Sequence, residues 1–557
     1  MAEYLHFSRD SRLYMAKDGR LWSIPVLDGF SFSQATNASE ITLNEMEDAS
    51  GRSRRGRKMF TDSLSAAEWS FSTYVRPFKS AGNSGSALTG TGSIKGIADS
   101  TATHHHAVEE ALWVAMAGQN TYTATTGKFQ HSAAGGAISS IALSSTQGSG
   151  NAVTDADRTA GTYNIAIPTA ASGTSTGATV SGGSTQAGTN AVIQVVINGS
   201  GTASVSVTER GTKFDSANKI IIDSELIGGA AGDDNLSIDV TSESFTSDAT
   251  DMDINFYDSS RASLATFDLY YVFSDRSAGR LIYKLENAVV NEASIDFDID
   301  GIATINWSGM AGQIKEVPTG LGAGQYTAQD SYPNPAAAGA IWIDTNDSDR
   351  FYMSTSATNA EATWWAAIDE ASTSTSNFIR NRLTNLTLAP EGDKAAGTGF
   401  VGTTTFTNAA GNSDSYEASY SVAITGGNVT ISNNISYLTP EELGKVNQPI
   451  EHITGTRSVT GSLTCYLASS DAATNRSRDL FADLVSDTNT VINKFAIKLQ
   501  VGGTDTTKPR FEIDMPTAHL EIPSHSIEDV ISLETNFHGL GTGVSEGDEV
   551  TLKYIGV

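Results

Sequence analysis

Three clusters of side chains in this sequence could do chemistry. Asp296, Asp298 and Asp300, followed by Gly301, imitate the opening of a calcium loop. Such a loop needs a bidentate glutamate at its twelfth position, and that position here is Trp307. The same run alternates, with Ile295, Phe297 and Ile299 between the acids, so it reads as a strand with one apolar and one acidic face. Carboxylates side by side on one face repel unless water and counterions screen them, so the acidic face belongs on a wet surface. His104, His105 and His106 are consecutive; neighbouring side chains cannot all converge on one ion, and a solvated helix entrance is the expectation. Arg52, Arg54, Arg55, Arg57 and Lys58 form the one strong basic run. Alone it would suggest nucleic acid. In a strongly acidic chain it reads first as a contact with another subunit, with a solvated loop or a nucleic-acid contact as alternatives.

Other chemistry finds no residues to carry it. The sequence has no nucleophile elbow, no phosphate-binding glycine loop and no zinc-binding H-E-x-x-H pair. The lone Cys465 cannot form a disulfide within the chain, and its alternating surroundings make it a strand residue. No catalytic, cofactor or metal site is expected, and an enzyme is not.

The elements that must position these clusters are short strands. The 557 residues suffice for several domains. Only 18 % of residues are charged, and Gly, Ser, Thr and Ala abound, which favours strands and turns over long helices. The formal net charge of −28 opposes tight binding to nucleic acid or anionic membrane. The N-terminus does not read as a signal peptide, and no apolar run is long enough for a membrane helix.

Four segments recur in the same order, which points to a duplication. Residues 24–34 match 422–433 as strand, glycine turn, strand. Residues 60–75 match 453–467 as alternating runs. Residues 109–117 match 477–485 as helices, with Leu112, Trp113 and Met116 set against Leu480, Phe481 and Leu484. Residues 283–288 with 306–312 match 511–516 with 536–541, sharing Asn, an aromatic residue, any residue, then Gly. Two inserts interrupt the copies. In 121–250, a Gly/Ser/Thr-rich stretch holds three strand-like runs (191–197, 202–207 and 219–222), which favours a small external β-sandwich. Residues 317–375 read as a small meander with an aromatic core around Trp342, Tyr352 and Trp364.

This order of elements resembles the tail tube fold of long-tailed bacteriophages, in a form with the tube domain duplicated. The stretch 22–78, with its basic run and the run Trp69-Ser-Phe-Ser-Thr-Tyr-Val75, is similar to the start of major tail proteins. The resemblance implies a mainly β protein. Two tandem barrel-forming tube domains, each with one short helix, would occupy 1–120 plus 251–316 and 376–557, with the inserts between them. It also implies a non-enzymatic virion protein, made in the host cytoplasm, that polymerises with itself. Homotrimeric pseudo-sixfold rings would stack into a tube, meet tape measure, terminator and baseplate proteins, and pass genomic DNA without binding it tightly. An acidic lumen would suit that passage, with Asp296, Asp298 and Asp300 as candidates to line it. The basic run at 52–58 would reach the adjacent ring. A capped helical turn is expected at 438–445. The competing readings are another virion component (baseplate, terminator ring or fibre) and a surface adhesin.

Overall fold

The computed structural model describes residues 6–556 apart from short stretches and the longer segments 42–48, 80–103, 131–137, 168–177, 182–187, 257–263, 274–279, 369–376, 391–405, 469–476 and 485–494. The protein is mainly β. The elements that build its central sheet are β1 (Ser31–Glu40), β2 (Met59–Tyr74), α1 (Glu110–Ala117), β3 (Phe267–Phe273), β4 (Leu281–Asp298), β5 (Thr304–Ala311), β6 (Ile424–Ser432), β7 (Ser458–Tyr466), α2 (Ser477–Leu484), β8 (Phe495–Val501), β9 (Arg510–Leu520), β10 (Ser524–Ile527), β11 (Ile531–Leu540) and β12 (Thr551–Ile555).

Pairing runs in the order β1, β2, β5, β4, β6, β7, β11, and then β10 with the end of β9, all antiparallel. Alternation explains the layer. Trp69, Phe71, Ile295, Phe297, Ile305, Trp307, Val429, Ile431, Val459, Leu463 and Phe537 are buried in one core, while their neighbours in sequence face the other way. A second layer covers that core. In it β3 and the first half of β4 pair with each other, and β8, β9 and β12 form a matching group. The 18-residue β4 serves both layers. Its partners change near Asn287, which holds φ +53°, a left-handed conformation that asparagine tolerates better than most residues.

Both helices lie where the repeats place them. Every residue of α1 is buried, as a helix apolar all round after its first residue, Glu110, requires; Trp113 meets Trp307 edge-on at 4.6 Å between ring centres. The amphipathic α2 buries Leu480 and Leu484. Strands Thr189–Ile197, Ala203–Thr212 and Lys219–Ile222 fall on the three runs read in the first insert. They belong to a three-stranded and a four-stranded sheet that share one Ile/Val-rich core. Strands Ile341–Asp344, Arg350–Ser354 and Trp364–Ala366 pair in succession, with Trp342 stacked on Tyr352 at 4.6 Å.

Three expectations need correction. The glycines of 422–433 make no turn: Gly426 and Gly427 lie inside β6. A Cβ on Gly427 would sit 2.3 Å from the Ser462 carbonyl oxygen and 2.8 Å from the Phe297 ring, so glycine is there to let strands approach. Among the described residues of 438–445 there is no helical turn; Leu438 ends the strand Ser436–Leu438 and the following residues are irregular. The histidines are not a solvated entrance, because His105 and His106 are buried with the helix they precede.

Candidate assembly surface

The solvent face of the central sheet is built from small hydroxyl and amide side chains that bridge neighbouring strands. Ser31 and Ser70 hydroxyls lie 2.9 Å apart. Ser72 donates to Asn306 Oδ1 at 2.6 Å, and Asn306 Nδ2 donates to Asp296 Oδ2 at 2.7 Å. Across the β4–β6 junction the Ser294 and Thr430 hydroxyls are 3.0 Å apart. Further along, the backbone N–H of Ser462 donates to Asn428 Oδ1 at 2.9 Å, and Asn536 Nδ2 donates to Glu521 Oε2 at 2.8 Å. These ladders run from the first strand to the last, the polar counterpart of cross-strand apolar pairs.

No lysine or arginine occurs in β1, β2, β5, β6, β7, β10 or β11, nor in residues 289–298 of β4. The carboxylates of Glu68, Asp296, Asp298, Glu521 and Glu534 are exposed on these strands or beside them. Of the acidic cluster, Asp296 and Asp298 end β4, and Asp300 lies in the turn beyond it, 3.6 Å from Arg382 in a well-exposed pair. Two residues of the basic run, Arg52 and Lys58, sit at the opposite end of the sheet. Arg52 and Lys58 are exposed near the tip of the β1–β2 hairpin, where Ile41 N–H donates to the Lys58 carbonyl at 3.0 Å. Arg54, Arg55 and Arg57 lie outside the described residues. The chain therefore does not bring its basic and acidic clusters together: β2 runs from Met59 near the basic end to Tyr74, which faces Thr304 beside Asp296.

Sequence reasoning missed a buried polar cluster behind the sheet. His106 Nδ1 is 2.9 Å from Glu110 Oε2. Tyr554 donates to Glu109 Oε1 at 2.7 Å while accepting from Trp113 Nε1 at 2.6 Å. His105 Nε2 lies 2.9 Å from the Gly556 carbonyl. Burial pushes the Glu109 carboxyl up to about 7 against the hydrogen bond from Tyr554. The cluster ties the start of α1 to the last strand. The signal that could have found it is the unbroken apolar run of α1: a helix buried all round draws the residues at its entrance inside with it.

No protein-family profile matches the chain. It is similar to Tail tube protein pb6 of Escherichia phage T5, with 24 % identity over 532 residues that cover 95 % of this chain and 70 % of that protein. That likeness supports a major tail tube protein of a long-tailed phage. It likewise supports a structural component of the virion tail. Among the described residues no helix is long and apolar enough to cross a membrane.

Proposed function

We propose that this tail tube protein polymerises into rings of three chains, each chain filling two of six positions, and that the rings stack into the channel for genome ejection. The observation that carries this reading is the repeated strand order. β1-β2-β5-β4 is followed in the same sheet by β6-β7-β11-β10, joined edge to edge by β4 and β6. Two equivalent units side by side in one sheet supply the repeat that a closed barrel of such units needs, and closure removes exposed strand edges. The two units would be the duplicated tube domains at 1–120 plus 251–316 and at 376–557, with the segments 121–250 and 317–375 carried outside the barrel. Its role is mechanical, without catalysis. Its partners are further copies of itself, the tape measure, terminator and baseplate proteins, and DNA in transit. It assembles in the host cytoplasm.

In this reading the hydroxyl- and amide-rich face lines the lumen. A lining without cations neutralises no phosphates and so releases none of the counterions condensed on DNA, which then slides without adhering; Asp296 and Asp298 add repulsion. The basic hairpin tip and the acidic turn at opposite ends suit head-to-tail stacking, a heterologous contact that grows a filament. Arg52, Arg54, Arg55, Arg57 and Lys58 of one ring would then meet Asp298 and Asp300 of the next. Electron microscopy of the purified protein tests the reading: hollow tubes or threefold rings support it, and monomers at all concentrations overturn it. Replacing Arg54, Arg55 and Arg57 with Ala tests the stacking contact separately, because rings that stack as before would remove that role.

A further inference from the structure

The junction inside the chain gives a template for the junction between chains. At β4–β6, Ser294 faces Thr430, Ile295 faces Val429, and Asp296 faces Asn428. The two units can be superposed strand by strand through their pairing. Gly309 of β5 faces Trp69 of β2, and Gly539 of β11 faces Val459 of β7. Trp69 in turn faces Phe32, and Val459 faces Ile431. Phe32 therefore corresponds to Ile431, Ser31 to Thr430 and Phe30 to Val429. On the other side, Ser294 faces Asn306, and the Glu521 N–H donates to the Asn536 carbonyl at 2.9 Å. Asn306 and Asn536 occupy one position of the repeat, so Glu521 corresponds to Ser294; beyond it the second unit carries one residue more, with Ile522 and Pro523 standing where the first has Ile295 alone. Asp296 faces Thr304 and Ser524 faces Glu534, so the counterpart of Asp296 is Ser524 rather than a residue near Ser526.

The equivalent positions differ in one respect. Ile295 is fully buried beside β6, whereas of the two residues in its place Pro523 is buried and Ile522 is 52 % exposed. Val429 is fully buried beside β4, whereas Phe30 is only half-buried. Among the described strands, β10 pairs with β11 alone and β1 with β2 alone. Each end of the sheet thus carries half of the junction that the middle completes, and all four residues of β10 are exposed.

We infer that the 521–527 edge of one chain pairs antiparallel with the 29–33 edge of a second copy, in the register of the internal junction. Glu521 faces Ser31 of the neighbour, and Ile522 packs on its Phe30. The inference rests on the ring reading and adds its contact residues, direction and register. The occupant is a second copy because the complementary edge to each end is the other end of this same chain. Glu521 and Ser31 also extend the solvent-face ladder across the seam, in the place that Ser294 and Thr430 hold within the chain.

Cysteine pairing tests it on the full-length protein with Cys465→Ser as background. Directly opposed strand residues lie within disulfide reach. Ser294→Cys with Thr430→Cys is the internal reference and closes within one chain, leaving a monomer on a non-reducing gel. Ser31→Cys with Glu521→Cys, oxidised after assembly, shifts the band from monomer to trimer. The register-shifted pair Ser33→Cys with Glu521→Cys does not. Rings seen by electron microscopy without the Ser31–Glu521 cross-link overturn this register and leave the ring reading standing. Rings that cross-link equally through both pairs also overturn it. A parent protein that forms no rings overturns both.

Discussion

The two faces of the fold treat charge in opposite ways. In the covering layer charges are paired. Lys284 lies 2.8 Å from Asp268 and 3.4 Å from Glu286, and Lys315 adds a second cation to Glu286. In the matching group of the other half, Glu512 is held by Arg510 at 2.8 Å and Lys498 at 3.0 Å, and Lys553 reaches Asp253 at 3.0 Å. The central sheet, in contrast, has no lysine or arginine on its described strands, and its carboxylates meet asparagine, serine and histidine. The difference teaches where the acidity of the chain is available. Charges in the covering layer neutralise one another inside the protein, while those on the sheet remain to act on whatever passes.

The largest effect should come from breaking a pair in the covering layer. Glu512 is nearly fully buried. Burial pushes its carboxyl up, but the Gln500 hydrogen bond and the Lys498 and Arg510 charges prevail and hold it below the usual glutamate range. Glu512→Gln removes the anion between two cations, one of them largely buried, and should cost about 3 kcal/mol, as breaking a buried ion pair does. Denaturant unfolding of the unassembled chain measures it. A loss below about 0.5 kcal/mol, the level of an ordinary surface change, would erase the contrast between the two faces.

The buried cluster behind the sheet extends the comparison to a carboxyl on which burial outweighs its hydrogen bonds and the charge of Arg76. Glu109 titrates near 7 in the fold, raised from 4.5 by burial. Its contribution to stability is therefore fully present below pH 4.5 and is lost as pH rises through 7. Between pH 5 and pH 8 the stability of the parent should fall relative to Glu109→Gln by about 2 kcal/mol. Thermal melts of both proteins at several pH values check this. Parallel pH curves would show that Glu109 ionises as easily inside the fold as outside.

Much of this architecture was legible in the sequence, and the misses share a cause. Period-two alternation marked β2, β7 and the end of β4 because one face of each is buried and the other wet. The shared Asn-aromatic-x-Gly endings marked β5 and β11 because a strand crosses closely at each glycine: a Cβ on Gly309 would meet the Val289 carbonyl oxygen at 2.1 Å, and one on Gly539 would meet Val459 at 3.0 Å. Gly426 and Gly427 were misread because a glycine pair signals a turn and a close crossing alike; only the partner strand decides. The histidines were misread because their polarity was weighed alone, without the buried helix they enter. The candidate site was half legible. The acidic alternation at Asp296 and Asp298 was plain, but a surface defined by missing cations across eight strands emerges only once pairing sets those strands side by side.

The smallest stability effect, and the most direct probe of the contrast, lies on the sheet face. Asp296 is exposed and accepts one hydrogen bond, from Asn306. Asp296→Asn should change stability by less than about 0.5 kcal/mol, as surface substitutions away from structural features do. The face should instead respond to added positive charge. Ser72→Lys with Ser462→Lys places two cations on strands that have none, at positions where the side chain can reach water. Each lysine that neutralises a phosphate releases a counterion, so tubes of this variant should retain DNA at low salt and release it as salt rises, with a log–log slope of about −0.9 per contact on duplex DNA. Parent tubes should retain none at either salt. If the lysine variant and the parent pass DNA alike, the sheet face does not line the channel, and the absence of cations there serves folding instead of transport.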